Sequence, residues 1–395
     1  MYKQALDRWL STTDFSTGLI IRFWDGTSKT YGPNPRFTVT LKKASVIPEL
    51  VKNISMGFGE AYMRGDIDIE GSMIDAVELF HGTDIKESAL SFGAKLTRGL
   101  MNLKQNNKLG QAAKNIQHHY DVGQDFYALW LGEEMVYSCA YFKNAHESID
   151  VAQSDKLDYI CKKLFLKPGE TMLDIGCGWG GLVMHAAKTY GVTAHGITLS
   201  KDQLAYATKQ VKEEGLEGKV MIELIDYREL IRRGMTFDKV ASIGMFEHVG
   251  LDHQQEYFDA TNQLMKPGAI ALLHTIGKMR GAMVDPWIQK YIFPGAYLPA
   301  IGEVTTSMKK FAFRITDIEN LRLHYALTLD RWLEAFEKNV DKVHALYGES
   351  FVRMWRLYLA GSSAGFRYGD LDLWQIQFTK GIRNDLPMTR DYLYQ

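Results

Sequence analysis

The chain is 395 residues long, with 46% hydrophobic and 24% charged residues, enough for two or three domains of about 150 residues each. That balance excludes intrinsic disorder over most of the length. Lys plus Arg number 46 against 47 for Asp plus Glu, a formal net charge of −1; this argues against a dedicated nucleic-acid binder but leaves room for a local basic patch. Three widely spaced cysteines, Cys139, Cys161 and Cys177, make neither a disulfide framework nor a zinc-ligand pattern. Met1 to Arg8 lack the apolar core of a signal peptide. The longest apolar runs, such as Gly268 to Ile276, fall far short of the roughly 18 residues that span a bilayer. The expectation is a soluble, intracellular protein whose contact with any membrane is peripheral.

Along the chain, residues 1 to about 85 mix short β-like runs, Leu19 to Trp24 and Phe37 to Leu41, with a Gly/Pro/Asn turn at Tyr31 to Pro35 and a helical pattern near Ile47 to Met63; they predict a small α+β domain. Ser88 to Gln117 carries Lys95, Arg98, Lys104, Lys108 and Lys114 and no acidic residue, with Phe92, Leu96, Leu100 and Leu103 at helical spacing. Such a segment either lies on an anionic lipid surface or packs as a solvated linker helix. From Gln117 strands and helices alternate: Thr171–Ile175, Leu182–Tyr190, Val192–Ile197, Ser200–Glu214, Val220–Ile225, Lys239–Ile243, Asp252–Met265 and Ala269–Thr275. This is the pattern of a doubly wound parallel sheet. After Trp287 the chain is aromatic-rich and reads as mostly helical.

Asp174-Ile175-Gly176-Cys177-Gly178-Trp179-Gly180-Gly181 joins a predicted strand to a predicted helix. Glycines there allow a tight turn and close approach of a ligand to the main chain at the helix N-terminus. Gly176, Gly178 and Gly181 satisfy the dinucleotide fingerprint, but Ala194 and His195 at the end of the next strand are not the acidic residue that would hold a ribose. Asp174 suits a ligand bearing an amino group better than a pyrophosphate. The loop resembles the S-adenosylmethionine loop of class I methyltransferases.

His119-Tyr120-Asp121-Val122-Gly123, Tyr137 to Phe142, Leu173 to Gly181, Thr198 to Gln203, Phe246 to Gly250, His274 to Gly277 and Tyr291 to Gly295 occur in that order. Together they resemble the cyclopropane-fatty-acyl-phospholipid synthases, relatives of the mycolic acid cyclopropane synthases, from about residue 117 to the end. Residues 1 to about 110 look like the extra N-terminal domain of the phospholipid-acting branch. The resemblance implies three regions: a lipid-engaging domain over 1–87, a basic linker over 88–117 and a class I methyltransferase with a helical lipid-binding insert over 118–395. It further implies methyl transfer from S-adenosylmethionine to a cis double bond of a phospholipid acyl chain, with bound bicarbonate as the base that closes the ring. The family's bicarbonate site carries over onto Cys139, Glu247, His274, Ile276 and Tyr325, with Cys139 and Ile276 acting largely through the main chain. Its cofactor site carries over onto Tyr137, Ser138, Asp174, Gly176, Gly178, Thr198, Leu199 and Gln203. Gln203 stands in for the usual acidic ribose ligand, since an amide can both accept and donate. The partners implied are unsaturated phospholipids and a second copy of the chain, at the cytoplasmic face of the membrane; no metal and no nucleic acid are expected.

Taken singly these residues have plainer readings. Glu247 can cap the helix that follows, and His274 and Tyr325 can be core residues. Nothing supplies Cys139 with the electropositive setting of a reactive thiolate. Cys177 reads as a small filler. Tyr291, Phe293 and Tyr297 line an acyl tunnel or merely pack. A methyl-branched or hydroxylated product, or a non-catalytic lipid-binding protein, are the alternatives.

Overall fold

The computed structural model describes residues 2–15, 17–82 and 123–394. The basic stretch 88–117 and His119 to Val122 of the first motif lie outside the described residues. The described residues form two compact units. One unit comprises the described residues among 1–105 with Val284–Ile292 and Leu329–Asp370; the other comprises those among 106–283 with Phe293–Thr328 and the described residues of 371–395.

The first unit begins with helix α1 (Tyr2–Thr12) and a sheet of β1 (Gly18–Arg22), β2 (Ser28–Tyr31), β3 (Pro35–Leu41) and β4 (Ile67–Gly71), ordered β2-β1-β3-β4. The helical pattern over Ile47 to Met63 is two helices, α2 (Val46–Lys52) and α3 (Ile54–Met63). Asn53 separates them: its backbone is extended and its side chain accepts the Met56 N–H at 3.0 Å, a capping role asparagine prefers to a helix interior. Leu19, Ile21, Phe37, Val39 and Ala61 share one core. Helix Glu349–Tyr368 packs on α3 and on α4 (Met73–Gly82), and its Arg353 donates to the Ile67 carbonyl and the Asp68 carboxylate at 2.5 Å each.

The second unit follows the expected alternation. Helix α5 (Ile149–Lys163) precedes β5 (Thr171–Ile175), α6 (Gly181–Tyr190), β6 (Thr193–Thr198), α7 (Lys201–Glu213), β7 (Val220–Leu224), α8 (Tyr227–Arg232), β8 (Phe237–Ile243), α9 (Gln254–Leu264) and β9 (Met265–Lys278). Two further strands, β10 (Phe313–Asn320) and β11 (Leu371–Lys380), complete a seven-stranded sheet ordered β10-β11-β9-β8-β5-β6-β7. Five strands run parallel; β11 pairs antiparallel with both β9 and β10. The sheet is therefore mixed, and the stretch after Trp287 contributes two of its strands where sequence texture predicts mostly helix. Residues of β11 alternate, but Gln375 and Gln377 occupy one face, and the partner strand β9 is remote in sequence, so pairing leaves no local signal.

Side chains alternate across each strand, and this divides the core. Leu173, Val240, Ala271, Leu273, Ile376 and Phe378 pack with α9 on one face. Met172, Ala194, Ala241, Ile270 and Leu272 pack with α5 and α6 on the other. His274 follows Ile270 and Leu272 in that alternation, toward α5.

Cys177 is buried against Gly196 of β6, the filler role its small size suggests. A Cβ on Gly196 would lie 2.8 Å from Cys177 Sγ and 3.0 Å from Ile222 Cδ1. Gly196→Ala therefore lowers stability by about 1–3 kcal/mol, the usual cost of overpacking, read as a lower denaturant midpoint at unchanged slope.

Candidate active site

A cavity lies beyond the C-terminal ends of β5, β6 and β8, where open α/β sheets take their ligands. Tyr137, Ser138, Asp174, Gly176, Gly178, Thr198, Leu199 and Gln203 all line it. The loop after β5 is tied down by the Gly176 and Cys177 N–H groups, which donate to the Ile197 carbonyl at 3.0 and 2.9 Å. Gly176 has φ +85°, and a Cβ there would sit 2.8 Å from the Met245 side chain, so both backbone and space require glycine. Ser200 caps α7 by accepting the Gln203 N–H at 3.3 Å. The Thr198 hydroxyl donates to Gln203 Oε1 at 2.7 Å. One lone pair of that oxygen is thereby engaged, which leaves Gln203 its NH2 group and a second acceptor position to offer a ligand.

Behind this cavity lies a second group of residues. Glu247 sits in the short helical turn Phe246–His248 after β8, and its Oε1 accepts the Ile276 N–H at 2.6 Å. That N–H, expected as a main-chain ligand, is thus engaged by Glu247. His274, on β9 with Ile276, accepts the Gly244 N–H through its carbonyl at 2.8 Å and a Gln375 amide contact at Nδ1, 3.1 Å away. Glu247 Oε2 and His274 Nε2 are both buried without a hydrogen-bond partner. Cys139 is buried, donates weakly to the Ala140 carbonyl at 3.1 Å and lies 4.0 Å from Thr328 Oγ1. Thr328 stands one turn from half-buried Tyr325 on helix α10 (Arg322–Lys338). The structure thus joins Glu247 directly to Ile276 and sets Cys139 beside Thr328, one turn along α10 from Tyr325. The two groups interleave: Ser138 lines the cavity and Cys139 follows it, while Gly244, Met245 and His248 line it around Glu247.

Sequence reasoning missed several lining residues. Lys156 is buried on α5, with Nζ donating to Ser138 Oγ at 3.0 Å; in sequence it is one lysine of an amphipathic helix. Asp226 caps α8 and grips Arg228 through two bonds of 2.8 Å; an Asp directly after β7 was the available signal. Of the aromatic stretch, Tyr291 donates its hydroxyl to Glu60 at 2.9 Å within the first unit and Tyr297 to Glu303 at 3.0 Å. Phe293 packs 6.1 Å from the ring of His248.

Burial governs the electrostatics. It raises Asp174 from 3.8 to about 7, against the pull of Lys156, and lowers Lys156 to about 8. It raises Glu247 from 4.5 to about 7, against the Ile276 N–H, and lowers His248 to about 4 and His274 to about 3. Burial also pushes the Cys139 thiol well up, so that group is not a thiolate nucleophile.

The mycolic acid cyclopropane synthetase family model matches residues 107–376, and a domain of unknown function matches residues 1–88. A probable fatty acid methyltransferase of Pseudomonas putida is 36% identical over 386 residues, 95% of this chain and 96% of that protein. The cyclopropane-fatty-acyl-phospholipid synthase of Escherichia coli K12 is 37% identical over 360 residues, 89% and 90% of the two chains. Among solved structures, the mycolic acid cyclopropane synthase CmaA1 complexed with SAH and CTAB aligns with a TM-score of 0.63 and 33% identity, covering 68% of this chain and 98% of that one. Among the described residues no helix is long and apolar enough to cross a membrane.

Because Asp174 and Glu247 hold their protons more tightly folded than unfolded, each subtracts stability as pH rises from about 4 to about 7. Glu247→Gln flattens that decline and leaves the protein more resistant to denaturation at pH 8 than the parent. Denaturant titrations at pH 4.5 and pH 8 check this.

Proposed function

The chain belongs to the mycolic acid cyclopropane synthetase family of S-adenosylmethionine-dependent methyltransferases, and from that premise we propose that it methylates a cis double bond in a phospholipid acyl chain and closes a cyclopropane ring there. The observation that carries the reading is that two buried polar atoms, Glu247 Oε2 and His274 Nε2, lack a hydrogen-bond partner, on residues bonded to Ile276 and Gly244 and next to the lining residues Gly244, Met245 and His248. Buried polar groups are ordinarily satisfied, and a small hydrogen-bonding anion such as bicarbonate fits that pair. When bound, S-adenosylmethionine supplies an electrophilic methyl group and bicarbonate supplies a base.

The chain's own residues position these groups. Asp174 and Lys156 present one carboxylate and one ammonium to a cavity whose Asp226 and Arg228 neutralise each other. That unlike pair complements the zwitterionic amino-acid end of the cofactor, Asp174 facing its ammonium and Lys156 its carboxylate. Gln203 donates toward the ribose. Glu247 and His274 hold the anion by hydrogen bonds in a water-poor setting, where fixed donors are strong and also favour a cation developing on the substrate. The substrate lies in a bilayer, and the five positive charges of 88–117 are the attachment we assign to its anionic surface.

The second reading stops at a methyl-branched chain, the same transfer followed by a different fate of the cation. It is favoured by the Pseudomonas putida relative, a probable fatty acid methyltransferase that covers 95% of this chain. Incubation with methyl-labelled S-adenosylmethionine and unsaturated phospholipid vesicles, followed by mass spectrometry of the lipids, separates the two. The ring appears as a gain of one methylene with loss of the alkene; a methyl branch with a residual alkene supports the second reading, and absence of label in lipid overturns both. Lys156→Met weakens cofactor binding about 10- to 100-fold, the equivalent of one charge-assisted hydrogen bond of roughly 1.5–3 kcal/mol, measured by calorimetry. Glu247→Gln slows turnover and raises the bicarbonate needed for half-maximal rate without changing cofactor affinity; wild-type kinetics in bicarbonate-depleted buffer count against the anion site.

A further inference from the structure

A buried polar row crosses the antiparallel side of the large sheet. His274 on β9 stands opposite Gln375 on β11, and Gln375 stands opposite Glu319 on β10. Directly opposed residues on one face of a sheet are within side-chain contact. Lys163, the last residue of α5 and fully buried, comes down onto this row. Its Nζ donates to Glu319 Oε2 at 2.5 Å and to Gln375 Oε1 at 2.9 Å, with Asp317 Oδ2 at 3.7 Å. The Tyr159 hydroxyl also donates to Glu319, at 2.9 Å, and Arg390 Nη1 lies 3.9 Å from it. Burial pulls the Lys163 ammonium below its usual pKa, and the two carboxylates beside it oppose that pull and favour the charged form.

The donor inventory then has one solution. An ammonium has three donors and no acceptor, so the Gln375 atom facing Lys163 is the carbonyl oxygen, and the atom facing His274 is the NH2. An NH2 only donates, so His274 Nδ1, 3.1 Å away, accepts with its lone pair. The imidazole is neutral, because burial and the two nearby lysines keep its pKa near 3. Its single proton is therefore on Nε2, the nitrogen that is buried without a partner.

We propose that Gln375, oriented by Lys163, is a positioning residue that fixes His274 as the Nε2–H tautomer and so aims a hydrogen-bond donor at an anion. This deepens the anion site of the proposed function and rests on it. Neither Gln375 nor Lys163 touches the anion; each acts through His274. The opposite tautomer would present a lone pair there, which could meet only the bicarbonate hydroxyl and would repel its two charged oxygens.

The test uses the full chain labelled with 15N-histidine. In the wild type the His274 ring shows a pyrrole-type Nε2 and a pyridine-type Nδ1; a proton on Nδ1 overturns the proposal. Gln375→Met, of similar size and without the amide, releases the ring to a mixture of tautomers and raises the bicarbonate for half-maximal turnover about tenfold, as loss of a supporting hydrogen bond does at comparable sites. The S-adenosylmethionine KM stays within about twofold, whereas a general structural lesion would move both constants. An unchanged bicarbonate response in a folded Gln375→Met variant overturns the proposal, and should that variant not fold, the wild-type ring still decides it. If wild-type turnover ignores bicarbonate, the anion reading falls on its own account and the nitrogen spectrum still settles the tautomer.

Discussion

Two ammonium groups buried on one face of α5 set the terms for the polar interior of the large sheet. Lys156 and Lys163 are seven residues apart, two helical turns, and so point the same way. Removing such charges from water is costly unless each meets partners inside. Lys163 meets Glu319, Asp317 and Gln375. Lys156 meets Ser138 and the field of Asp174. One helix face thereby reaches both the cofactor cavity and the strand row behind the proposed anion site.

The strands supply what that face requires because their side chains alternate. On the face toward α9 the sheet is mostly apolar, with Leu273, Ile376 and Phe378 in one cluster. The opposite face turns from Ile270 and Leu272 to His274 along a single strand. Polar groups are therefore concentrated toward one end of β9, where Gly244 and Glu247 meet it from the end of β8. Buried carboxyls held near neutrality and histidines held uncharged are the electrostatic result, and functional clefts are where such perturbed groups collect.

Much of this was legible in the chain. The strand–helix alternation from Thr171 to Thr275 and the glycine loop appear where local pattern places them, because period-two and period-3.6 signals are written within each segment. Lys156 and the strand β11 were not legible. A buried lysine looks like any solvent-facing lysine until the opposing strand is known, and Gln375 and Gln377 look like surface residues until β9 and β10 close over them. Asn53, which divides one expected helical stretch into two, is the opposite case: its capping preference was present locally but masked by the apolar spacing around it.

By itself the sequence determined the class of the fold and, through ordered motifs, the kind of chemistry, since turn glycines and apolar periodicity act over a few residues and survive without knowledge of the whole. Only the tertiary structure decided which partners the buried polar groups find. Gln375 meets His274 across 101 positions of chain, and Lys163 meets Glu319 across 156. Such contacts follow from strand order and register, which are set by the packing of the entire sheet rather than by any one segment. The same packing decided which faces of α5 and β9 are dry, and burial is what turns an ordinary lysine, glutamate or histidine into a group with a shifted proton affinity.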